Sequence, residues 1–79
     1  MYYVYILASE PSPGRFYVGL TADLDQRLKE HNSGKSSHTA KYEPWKLAIY
    51  IAFADRRKAF RFERYLKSGS GRAFAKRQF

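Results

Sequence analysis

Two stretches of this chain place charged residues where apolar ones would be expected. Projected as a helix at about 100° per residue, Ala59, Phe60, Phe62 and Leu66 define an apolar arc, and Glu63 falls in its middle. An unpaired charge is strongly disfavoured against a core, so this carboxylate needs a cation, several hydrogen-bond donors or a cleft open to water. Arg56 and Lys67 project beside it, and an internal ion pair competes with a ligand-binding role on equal terms. In the segment 22–32, Leu24 and Leu28 mark the inward face. Arg27 and His31, four apart and therefore stacked, lie on or next to that stripe. With Tyr5 and Tyr17 nearby, these residues form a constellation of cation-holding, anion-facing and proton-carrying groups. Singly, each has an ordinary explanation: inward arginines snorkel, buried histidines are usually satisfied core residues, and strand tyrosines pack.

A second set of side chains points the other way. Arg57, Arg61 and Arg64 form a stripe opposite the apolar arc, and Arg56, Arg57 and Lys58 crowd a helix N-terminus, where the macrodipole disfavours cations. An anionic partner would offset that. With Lys67, Arg72, Lys76 and Arg77 they make a candidate phosphate-binding track, with simple solvation as the alternative for any one member.

The elements that must position these groups are legible from patterning. Residues 2–7 read as a strand with Tyr3, Tyr5 and Leu7 on one face and Val4 and Ile6 on the other. Residues 16–20 read as a second strand, with Tyr17 and Gly19 sharing a face. Pro11-Ser12-Pro13-Gly14 turns between them, which predicts an antiparallel hairpin. Thr21 is the expected N-cap of a helix over 22–32, stopped by Gly34. The polar stretch 33–44 reads as a loop, Trp45 to Phe53 as a central strand, and 55–67 as a helix capped by Asp55 and ended by Gly69. A short last helix over 71–77 would be capped by Ser70. The order β-β-α-β-α-α predicts a single α+β domain over residues 1–79, a small three-stranded, mainly antiparallel sheet flanked by helices.

Composition narrows the function classes. The 79 residues carry 15 Lys and Arg against 7 Asp and Glu, a formal net charge of +8. Residues 1–40 hold four basic and four acidic residues; residues 41–79 hold eleven and three, so all of the excess lies in the second half. Such one-sided charge favours a polyanion, most often nucleic acid. The absence of cysteine excludes disulfides, thiolate nucleophiles and zinc knuckles. No segment approaches the ~20 apolar residues of a membrane span, and no secretory signal pattern opens the chain. The expectation is a cytoplasmic protein with no membrane partner.

Tyr3-Val4-Tyr5 followed by Tyr17-Val18-Gly19, then Arg27 on the first helix and Glu63 on a later one, resembles the GIY-YIG nuclease domain over essentially the whole chain. The similarity is greatest to the small standalone branch related to the UvrC nuclease module. The resemblance implies divalent-metal-dependent cleavage of a phosphodiester, leaving a 5′-phosphate and a 3′-hydroxyl. It implies Glu63 as the ligand of a single Mg²⁺ or Mn²⁺, and Arg27 as the contact to the scissile phosphate. It makes Tyr5 and Tyr17 the tyrosines of the two motifs, and His31 the histidine one turn beyond the arginine. Tyr17 is then the expected activator of the attacking water, and Gly19 would let the substrate backbone approach. Nuclease members often carry a late asparagine near the site. This chain has none after Asn32, leaving Ser68, Ser70 or Lys67 to stand in.

The function expected is an endonuclease acting on DNA rather than RNA, structure- or damage-directed and with little intrinsic sequence preference. Larger relatives delegate target choice to added domains, so a protein partner supplying specificity is also expected. The alternatives are a non-catalytic nucleic-acid-binding module on the same fold and, more weakly, a basic face that docks on an acidic protein.

Overall fold

The computed structural model describes residues 1–35 and 37–79, without the side chains of Ser37 and His38. Three strands, β1 (Tyr2–Ser9), β2 (Phe16–Thr21) and β3 (Trp45–Phe53), form one antiparallel sheet in the order β2-β1-β3. The helices are α1 (Leu24–His31), the single turn α2 (Ser37–Ala40), α3 (Arg56–Lys67) and α4 (Gly69–Gln78). Among the described residues, no helix is long and apolar enough to cross a membrane.

The alternation in β1 separates two layers as expected. Val4 and Ile6 pack with Ala59 and Leu66 of α3, joined by Val18, Leu20, Phe53 and Phe62. On the opposite face Tyr5 and Leu7 pack with Trp45, Tyr17, Leu24 and Leu28. β1 pairs with β2 on one edge and β3 on the other, so it is the central strand, and both of its faces are covered. The expectation of a central β3 is corrected: it pairs with β1 alone and forms a sheet edge, where Leu47 and Tyr50 stay exposed. A bulge between Ile6 and Leu7 shifts the pairing from Ile49 to Leu47 and leaves Ala48 without a partner.

The hairpin turns where Pro11-Ser12-Pro13-Gly14 placed it, with Gly14 at a positive φ of 89°, a region open to glycine at no steric cost. Helix α1 begins later than expected. Asp23, not Thr21, is the N-cap, its carboxylate accepting from Gln26 N at 3.1 Å. The Thr21 hydroxyl instead accepts from Asp23 N at 3.0 Å, turning the chain into the cap. Asp55 caps α3 as expected, accepting from Arg57 N and Lys58 N. The last helix starts earlier than 71 because Ser68, not Ser70, caps it, accepting from Gly71 N at 3.1 Å. Within the expected loop 33–44, Ser36 lies outside the described residues, and 37–40 form α2.

Candidate active site

His31, at the end of α1, is 4% exposed and hydrogen-bonded at both ring nitrogens. Its Nε2 lies 3.0 Å from the Tyr5 hydroxyl and its Nδ1 lies 3.1 Å from the Thr39 hydroxyl. Thr39 is fully buried in α2, and its carbonyl accepts from Trp45 Nε1 at 2.9 Å. Asn32, next to the histidine, brackets the backbone of Trp45, accepting from its N–H at 2.7 Å and donating to its carbonyl at 2.9 Å. The imidazole is thus held at both nitrogens, while the adjacent Asn32 ties the end of α1 to β3. Thr39 and Asn32 escaped sequence reasoning because nothing local in a polar stretch shows which hydroxyl or amide will meet a ring eight residues away or a strand thirteen away.

Tyr5 lies opposite Gly19 in the β1–β2 pairing, and its ring occupies the space a side chain at 19 would need. The expectation that Gly19 admits a substrate backbone is therefore corrected: the group it admits is the Tyr5 phenol. Burial first, and then neighbouring Tyr17, push this phenol up from 10.0 to about 12, against the opposing pull of the Arg27 guanidinium. Tyr5 is consequently protonated throughout the neutral range. Burial and Arg27 together hold His31 below its ordinary value of 6.5, so its ring is neutral. The neutral ring has one N–H, so it donates to one of the Tyr5 and Thr39 hydroxyls and accepts from the other.

This arrangement predicts an acid-sensitive fold. Between the depressed value of folded His31 and 6.5, the unfolded chain binds more protons than the folded one, so stability falls as pH drops below about 6.5. Thermal melts from pH 7.5 down to 5 should show a falling midpoint in the wild type and a flatter profile in His31→Gln. Parallel profiles would remove His31 as the cause.

The remaining candidates gather around this pair. The Tyr17 ring lies 4.6 Å from that of His31 and 6.4 Å from that of Tyr5. Arg27 is partly exposed and paired with Glu30 at 3.4 Å, yet close enough to act on both Tyr5 and His31. Glu63, from the other side of the sheet, also bears on Tyr5. Its carboxylate is only 12% exposed and is paired with Lys67 Nζ at 2.7 Å. That ammonium lies 5.9 Å from the centre of the Tyr17 ring, so the two layers meet at the edge strand β2. Lys67, grouped by its sequence with the phosphate track, therefore sits in the site. Of the three residues that could stand in for the late asparagine, Lys67 alone is placed there by a described contact; the Ser68 hydroxyl is committed to capping α4 and to the Tyr65 carbonyl.

Among the described residues, no group of three or more His, Asp or Glu side chains could cage a metal. A lone, nearly buried carboxylate whose partner is a half-exposed lysine is nevertheless a seat that already holds a cation. This suits Mg²⁺, which keeps most of its waters and takes one or two carboxylates. Outside the site, Arg56, Arg57, Lys58, Arg61, Arg64, Arg72, Lys76 and Arg77 are all exposed. Among the described residues none of them is ion-paired. Phe60 is also outside the core, 51% exposed, which corrects its assignment to the apolar arc. Ala59, Phe62 and Leu66 complete the contact with the sheet without it.

Comparison with known proteins bears on the family and the fold. The family model of the GIY-YIG catalytic domain matches residues 1–78. The UPF0213 protein BH0048 of Halalkalibacterium halodurans is 40% identical over 72 residues, covering 90% of this chain and 74% of that protein. Structure-specific endonuclease subunit SLX1 of Meyerozyma guilliermondii is 42% identical over 73 residues, covering 84% of this chain; the match spans only 24% of the yeast subunit's length. The solution NMR structure of the UPF0213 protein BH0048 from Bacillus halodurans superposes with a TM-score of 0.57 at 37% identity, covering 96% of this chain and 81% of that one.

Proposed function

The chain belongs to the GIY-YIG nuclease family, and from that we propose that it is a divalent-metal-dependent endonuclease that hydrolyses phosphodiester bonds in DNA. The observation that carries the reading is the convergence on one edge of the sheet of Tyr17, Arg27, the Tyr5–His31 pair and a nearly buried Glu63. Glu63 is the residue that would hold the metal, which when bound supplies Lewis-acid polarisation and charge neutralisation at the phosphate. Arg27 places a fixed positive charge where the transition state is most negative. Tyr5 stays protonated, which leaves the proton of the attacking water to Tyr17, acting as a phenolate that has first released its own proton to solvent. Its ring has an imidazole on one side and the Lys67 ammonium nearby. The water oxygen bonds to phosphorus as the bond to the 3′ oxygen breaks, and that oxygen leaves with a proton from solvent. His31, pinned by Thr39, holds the Tyr5 hydroxyl in place and lends its neutral ring to the face of Tyr17.

A non-catalytic DNA-binding module is the second reading, favoured by the Glu63–Lys67 pair, in which the carboxylate is already neutralised. Incubation with flapped, branched and supercoiled DNA separates the two. Cutting that needs Mg²⁺ or Mn²⁺, stops with chelator and drops about a hundredfold or more in Tyr17→Phe is the result expected of an enzyme. DNA binding without cutting in any metal or substrate would establish the module instead.

A further inference from the structure

We propose that Phe60 is a stacking platform for an unpaired base beside the bond to be cut, so that the preferred substrate carries a single-stranded segment at the site. The inference deepens the nuclease reading and rests on it for the placement of the reacting phosphate at Glu63. Phe60 has no packing duty: the contact between α3 and the sheet is complete without it, and half of its surface is open. Its ring lines a shallow depression together with Arg56, Arg57 and Arg61, and the Arg64 guanidinium lies 5.7 Å from its centre. An exposed aromatic face ringed by unpaired cations is what a flexible polynucleotide needs: guanidinium groups for the phosphates and a ring for a base.

The position on α3 ties this patch to the chemistry. Phe60 precedes Glu63 by three residues, about 4.5 Å along the axis and about 60° around it. A strand whose phosphate reached Glu63 would bring the neighbouring nucleotide over the ring. In a duplex the bases are stacked inside and cannot reach Phe60, whereas an unpaired base can. An acidic peptide would satisfy the arginines but has no use for the ring, so the combination of ring and cations favours a polynucleotide.

Fluorescence anisotropy in chelator, where no cutting occurs, provides the test. One labelled oligonucleotide is used single-stranded and annealed to its complement. Phe60→Ala should weaken single-strand binding about five- to thirtyfold, as expected for loss of one base–aromatic stack, and duplex binding less than about twofold. Phe60→Trp should retain the preference, and a 2-aminopurine in the strand should be quenched by wild type but not by Phe60→Ala. Arg57→Ala with Arg61→Ala should weaken both forms and flatten their salt dependence. Equal losses on strand and duplex, no loss, or a glutamate-rich peptide whose binding depends equally on Phe60 would overturn the proposal. Glu63→Gln keeps the two ideas apart: it should retain Phe60-dependent binding while losing cleavage. Continued cutting by that variant would sink the catalytic reading and leave the stacking result standing.

Discussion

Glu63→Gln is expected to lower metal-supported cleavage by at least about a hundredfold while leaving the fold intact. The substitution is nearly isosteric and removes the charge that Lys67 Nζ meets at 2.7 Å. Because Lys67 is half exposed, its ammonium returns to water when the carboxylate is lost, so the stability change should be small, under about 1 kcal/mol. Two measurements check this together: single-turnover cleavage across a Mn²⁺ titration, and Mn²⁺ binding followed by electron paramagnetic resonance without DNA. Wild type should retain bound Mn²⁺ that Glu63→Gln does not. Equal Mn²⁺ binding by the two proteins would move the metal elsewhere, and Lys67→Met, which frees the carboxylate of its internal partner, should bind Mn²⁺ more tightly than wild type.

The second large effect is one of packing. A methyl group at position 19 would overlap the Tyr5 ring and hydroxyl, in the pair where β1 and β2 face each other. Tyr5 is 1% exposed, so its ring has little room to yield without giving up the bond to His31. Gly19→Ala should cost about 1–3 kcal/mol, the range for overpacking a core, and lower the thermal midpoint by several degrees or more. In a Tyr5→Ala background the same substitution should cost much less, since the ring it strikes is gone; additive losses would show that Gly19 is required for another reason.

How much of this was legible in the sequence depended on how local the signal was. The alternation in β1 assigned Tyr5 and Leu7 to one layer and Val4 and Ile6 to the other, and Asp55 announced α3, because strand period and capping are properties of a few adjacent residues. Thr21 has the chemistry of a cap but sits two residues early, and only the bond from Gln26 N to the Asp23 carboxylate identifies the residue that caps α1. Helical projection located Glu63 but not its partner, since Arg56 and Lys67 flank it alike, and it drew Phe60 into the arc because an apolar residue at the margin reads the same whether it faces a sheet or water. Thr39 could not be anticipated at all, because its role exists only once α2 has been folded against His31.

The bracket between Asn32 and Trp45 has a consequence for how this domain can be extended. One amide side chain reproduces both hydrogen bonds of a strand neighbour and so ties off the intervening segment at its base. With the ends already held, extra residues pay only the slow logarithm of loop entropy, about 0.6 kcal/mol for each doubling of length. Residues 33–35 are exposed and lie in the segment that the bracket closes, ahead of the Thr39 contact in the chain. They form a port at which a foreign segment, such as a reporter or a targeting peptide, can be grafted while the edge that carries the candidate site keeps its shape.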